Sequence, residues 1–249
     1  MKRLLNLCAL MSLIGFLMAC ESSDGGGLPT SGTGQGGSTA RFTILGEFLY
    51  VVDNATLRTF SLENPTEPEF RSVVDIDDVV ETIYGLDDKL FIGSQNGMYI
   101  YDVSIPEYPD YVGAFSHIQA CDPVIPYGNY AYVTLRGGTG CRNAANNQLD
   151  VLDITDIQNP FLIQSIPMSN PHGLGISGQL LFVAEAYEGI KVFNISNPEE
   201  PLQVGHYREI HVVDVILHRG LLIATGRDGV HQFDYTNPTE LQLVSSLTY

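Results

Sequence analysis

The chain has 249 residues, of which 29 are acidic and 12 basic, for a formal net charge of −17. That excess of carboxylates repels phosphate backbones and anionic headgroups, which excludes nucleic acid as a partner and electrostatic docking on a membrane. The apolar share, 44%, is that of a folded protein, and the lack of tryptophan removes the widest aromatic platform for stacking a sugar.

Residues 1–19 read as an export signal. Lys2 and Arg3 form a charged start, and Leu4 to Met18 an apolar stretch too short to span a bilayer. Leu17-Met18-Ala19-Cys20 then has the form of a bacterial lipobox. Cleavage there leaves Cys20 as a lipidated N-terminus, the alternative being an ordinary secretory signal with an incidental cysteine. Residues 20–40 are rich in Ser, Gly and Thr without apolar periodicity, the composition of a flexible tether. Without the signal, 10 basic residues face the same 29 acidic ones, a net of −19. The expected location is the bacterial cell envelope, lipid-anchored at the outer membrane and either periplasmic or surface-exposed. The membrane is then met through the lipid alone.

From residue 41 to 249 one pattern returns five times. Its marker is a proline following asparagine or, once, isoleucine, at Pro65, Pro106, Pro160, Pro198 and Pro238, spaced by 41, 54, 38 and 40 residues. Each unit holds four short β-rich runs separated by turn signals, as in Gly173–Ser177, Leu180–Ala184, Ile190–Ile195 and Leu202–Tyr207. Glycine recurs in the second turn at Gly97, Gly189 and Gly229, whereas the first unit has Asn54-Ala55-Thr56 there. Long helical periodicity is absent, so the protein is all-β. One four-stranded sheet cannot cover both its faces; stacking five around an axis covers them. The expected fold is a five-bladed β-propeller of four-stranded antiparallel blades, with repeats at about 41–76, 77–117, 118–170, 171–209 and 210–249. Closure is expected from contacts between the first and fifth blades, the alternative being part of a larger ring completed by another copy.

The third unit carries about a dozen extra residues, polar and glycine-rich, at 136–147. Its side chains Arg136, Thr139, Arg142, Asn143, Asn146 and Asn147 form a candidate binding loop. Cys121 and Cys141 lie in the same repeat, and outside the cytoplasm a disulfide is the expected state of such a pair. Metal binding is the alternative, without a Cys-x-x-Cys to support it.

Aligning the repeats on their turns puts Glu81, Asp122 and His172 at matching places near the start of the innermost strand. His211 and Asp214 fall near the same level in the fifth unit. These five form a candidate axial site. Paired carboxylates suit glycoside hydrolysis, and oxygen ligands suit calcium, the one cofactor worth considering. No His-Glu-x-x-His, Gly-x-Ser-x-Gly or Asp-x-Asp-x-Asp-Gly occurs, so no catalytic or metal set is assigned.

The stretch Leu181-Phe-Val-Ala-Glu-Ala-Tyr-Glu-Gly-Ile-Lys-Val-Phe-Asn-Ile-Ser-Asn-Pro-Glu-Glu-Pro201, and less closely Leu149 to Pro160, resembles the LVIVD repeats of bacterial surface and lipoprotein propellers. The resemblance implies the propeller fold and carries no shared catalytic motif. The resulting expectation is a lipid-anchored, non-enzymatic binding or scaffolding module of the envelope, with an envelope protein or glycan as partner. The alternative is a glycan-binding or glycan-hydrolysing propeller using the axial carboxylates.

Overall fold

The computed structural model describes residues 37–116, 123–137 and 147–248. Twenty strands form five four-stranded antiparallel sheets, each in sequential order. Blade one holds β1 (Phe42–Leu45), β2 (Phe48–Asp53), β3 (Thr56–Ser61) and β4 (Glu69–Asp75). Blade two holds β5 (Val80–Leu86), β6 (Lys89–Ser94), β7 (Gly97–Asp102) and β8 (Asp110–Ser116). Blade three holds β9 (Val124–Tyr127), β10 (Tyr130–Leu135), β11 (Gln148–Asp153) and β12 (Phe161–Pro167). Blade four holds β13 (Leu174–Ser177), β14 (Leu180–Ala184), β15 (Ile190–Asn194) and β16 (Leu202–Tyr207). Blade five holds β17 (Asp214–His218), β18 (Leu221–Gly226), β19 (Gly229–Asp234) and β20 (Gln242–Leu247). The protein is a five-bladed β-propeller.

Burial explains why the second strands lack alternation. In β6, β10 and β14 every residue after the first is buried, because each strand lies between two neighbouring sheets. The turns follow from local chemistry. Gly189 and Gly229 sit at φ of 83° and 137°, where a side chain would also strike the outer strand. An added Cβ would lie 1.9 Å from the Tyr207 carbonyl oxygen and 2.1 Å from that of Leu247. In blade one Asn54 takes a positive φ of 50° in glycine's place.

The proline-marked turn begins as an Asx turn. Asp102, Asp153, Asn194 and Asp234 each accept the N–H two residues on, from Ser104, Thr155, Ser196 and Thr236, at 2.7 to 2.8 Å. The Ser104 hydroxyl and N–H, with Lys89, hold the Asp102 carboxyl down at about 2. The register between third and fourth strands shifts at the same place in every blade, at Thr59/Phe60, Ile100/Tyr101, Val151/Leu152, Val192/Phe193 and Gln232/Phe233. A bulge there sharpens the twist that blades need to nest.

The proline turns of blades two and four each dock against the blade before. Tyr50 Oη donates to the Pro106 carbonyl at 2.9 Å, and Tyr132 Oη to that of Pro198 at 3.0 Å. Four apolar clusters fill the junctions between consecutive blades, around Leu57 and Ile92, Ile100 and Val133, Tyr132 and Phe193, and Phe182 and Phe233.

Among the described residues no such cluster joins blade five to blade one. The outer face of blade one presents Leu49, Val51 and Phe60 to an apolar groove of about 520 Å³, and β20 is exposed along its whole length. Among the described residues blades one and five share no face-to-face apolar junction. They meet at the hub through the lead into β1, where Thr39 Oγ1 donates to Asp214 Oδ2 at 2.6 Å. The last residues of the Gly/Ser-rich stretch are thus built into the hub. Gly37 and Ser38 are buried, Leu174 N donates to Ser38 Oγ at 2.6 Å, and Ile83 N to the Ala40 carbonyl at 2.9 Å.

Candidate functional site: the axial mouth

The innermost strands β1, β5, β9, β13 and β17 stand side by side in that order, and their starts gather at one end of the axis. A cavity of about 190 Å³ opens there. Thr39 and Arg41 reach it from the lead into blade one, Glu81 and Thr82 from blade two, Pro123 and Arg136 from blade three, and Pro171 and His172 from the lead into blade four.

Arg136 follows β10 directly and turns toward His172, with Nη1 at 2.7 Å from the imidazole Nε2. Thr134 Oγ1 donates to the His172 carbonyl at 2.6 Å and fixes that backbone. Burial first, then the Arg136 guanidinium and then His211, push the His172 imidazole down to about 4. At neutral pH it is an uncharged acceptor for arginine.

Asp214 opens β17 and is enclosed. Thr39 caps one oxygen, Val215 N donates to the other at 2.9 Å, and a Cβ added to Gly37 or Gly173 would lie 2.0 Å from the carboxylate. Burial raises its pKa to about 6, against the hydrogen bonds from Thr39 and Val215 that lower it. The folded chain then holds a proton that the unfolded chain releases near 3.8, so stability contributed at low pH is lost as pH rises from about 4 to 6. The loss at pH 7 is expected to be roughly 3 kcal/mol. Urea unfolding at pH 4 and pH 7 checks this: Asp214→Asn should remove most of that decline, and an unchanged slope would contradict it.

Of the sequence-derived candidates, Glu81, His172 and Arg136 line the mouth together. His211 lies to the side, edge-on to Tyr187 with ring centroids 4.4 Å apart, and its Nδ1 accepts Arg227 N. Asn147 ties down the base of the insertion, accepting Gly137 N at 2.8 Å and donating to the Ser169 carbonyl. Cys20, Cys121, Asp122, Thr139, Cys141, Arg142, Asn143 and Asn146 lie outside the described residues. Among the described residues no group of three or more His, Cys, Asp or Glu side chains is placed to hold a metal ion. Sequence reasoning missed Thr39 and Arg41, which composition assigned to the end of the tether and the start of a strand.

The LVIVD repeat profile matches residues 119–167 and 172–209, in the third and fourth units. No curated protein matches the chain. Among solved structures, a functionally unknown protein from Desulfotomaculum acetoxidans is similar at a TM-score of 0.67 and 13% identity, over 88% of this chain and 70% of that one. A protein from Lactobacillus plantarum gives 0.68 at 12% identity, over 81% and 68%. The periplasmic gluconolactonase of Pseudomonas aeruginosa gives 0.65 at 11% identity, over 82% and 68%. Likeness at such identities is one of fold. The chain is thus a five-bladed β-propeller in which two of the five blades match the LVIVD repeat.

Proposed function

We propose that this chain is a lipid-anchored propeller of the bacterial cell envelope that binds a small ligand at its axial mouth without transforming it. The observation that carries the reading is the mouth itself, where side chains from four blades converge on one cavity of about 190 Å³. A rigid ring supplies such a site without a moving part, because the lining residues sit on, or directly beside, strands of four different blades. The insertion in blade three contributes through Arg136 at its start. Glycan hydrolysis through Glu81, Asp122 and Asp214 is less well supported, since Gly37, Thr39 and Gly173 shut the Asp214 carboxylate away from a substrate. The envelope location rests on the lipobox at Cys20 and the Ser/Gly-rich stretch that follows it.

Two measurements test the reading. Cys20→Ala should move the protein from the membrane fraction to the soluble one, and a wild-type protein already soluble contradicts the anchor. A thermal-shift screen of envelope-derived small molecules should give a hit that Thr39→Trp, which fills the mouth, abolishes. A screen without a hit, or a hit indifferent to that variant, contradicts binding at the mouth.

A further inference from the structure

We infer that the open face of blade one docks an acidic segment of a partner protein, which inserts an aromatic side chain into the groove over Leu49, Val51 and Phe60. The filled junctions show what such a face receives. Leu90, Ile92 and Tyr101 of blade two hold the places of Leu49, Val51 and Phe60, and they pack on Tyr50 of blade one. Tyr50 is the third residue of its blade's second strand. The third residues of β6, β10 and β14 are Phe91, Tyr132 and Phe182, and each is inserted in the same way into the blade that follows. Both tyrosines also donate a hydroxyl to the proline turn they meet, at the Pro106 and Pro198 carbonyls. Pro65, which is exposed, holds that place in blade one. The groove of about 520 Å³ is thus half of a junction whose other half is an aromatic side chain.

Another copy of the chain supplies no such side chain. The third residue of β18 is Ile223, and it is paired with Gln232. Phe91, Tyr132 and Phe182 are paired instead with Ile100, Val151 and Val192. The free face of blade five therefore suits water better than insertion. Two blade-one faces set against each other would bring Arg41 and Arg58 of one copy toward those of the other, and like charges repel.

The same arginines decide the partner's charge. They line the groove with one acid, Asp53, which already accepts Asn54 Nδ2 at 3.2 Å. Among the described residues neither guanidinium has an ion pair or hydrogen bond. Arg41 also borders the axial mouth, so Arg58 is the cation of this face alone. An apolar floor rimmed by arginine takes an aromatic flanked by Asp or Glu.

Selection of a phage-displayed random dodecapeptide library on the full chain, with counter-selection on Phe60→Ala, tests this. The enriched sequences are expected to share a tyrosine or phenylalanine with Asp or Glu beside it. A synthetic peptide of that consensus should bind about 10-fold more weakly, or worse, to Phe60→Ala and to the exposed-site variant Arg58→Met. Replacing the peptide's aromatic residue by serine should cost as much, and unfolding midpoints show that both variants fold. A selection without enrichment overturns the inference, as does a consensus lacking the aromatic or the acid. A chain that sediments as a dimer which Phe60→Ala dissolves also overturns it, and assigns the face to a second copy.

Discussion

Lys191→Ala is expected to destabilise the protein by about 3–5 kcal/mol, the cost of stranding a buried charge. Its partner Glu185, directly after β14, is fully buried, and Lys191 Nζ lies 2.7 Å from Oε2. The other oxygen accepts Ser169 N at 2.8 Å, so this carboxylate ties the segment leading into blade four to the blade's own second and third strands. Truncating the lysine leaves the anion in place with half its compensation gone. The double variant Glu185→Gln with Lys191→Met should recover much of the loss, because no charge then remains in the interior. Urea unfolding of the three variants checks this. A loss under about 1 kcal/mol for Lys191→Ala would mean that the pair behaves as a surface salt bridge.

Phe182→Ala should cost about 3–5 kcal/mol, whereas Phe60→Ala should cost about 1 kcal/mol or less. Both phenylalanines lie in the middle strands of their blades. Phe182 is fully buried in the junction of blades four and five, edge-on to Tyr235 at 5.2 Å. Phe60 points the other way round the ring, onto the open groove of blade one, with Phe70 beside it at 5.8 Å. The comparison therefore measures the missing fifth junction. Equal losses would show that the outer face of blade one is covered in solution, by blade five or by a second copy, and a size-exclusion profile would tell those apart.

The architecture was legible because each of its signals is local. The proline intervals reflect an Asx turn that needs only Asp or Asn two residues before a donor, as at Asp102 and Ser104. The all-apolar runs Leu90–Ile92 and Leu181–Ala184 reflect sheets on both sides of one strand. The open junction was hidden for the opposite reason. Leu49, Val51 and Phe60 are as apolar as their counterparts in blades two to four, so composition predicts a partner that the described residues do not supply. The repeated bulge was hidden too, since it depends on pairing register and not on residue type. At the mouth, repeat alignment found Glu81 and His172 but also grouped Asp214 with them. Alignment gives height along the axis, whereas burial of Asp214 depends on Gly37 and Thr39 crossing the hub from a stretch that reads as tether. Arg41 was passed over because nothing in one repeat announces a cation that serves a site shared by four.

The central claim is that the axial mouth is a binding site for a small ligand. A crystal structure of the chain soaked with a hit from the thermal-shift screen tests it most directly. The account predicts the ligand in the cavity of about 190 Å³ lined from blades one, two, three and four, in contact with Thr39, Arg41 and His172. Ligand density confined to the outer rim, or an unchanged mouth at saturating ligand, would contradict it.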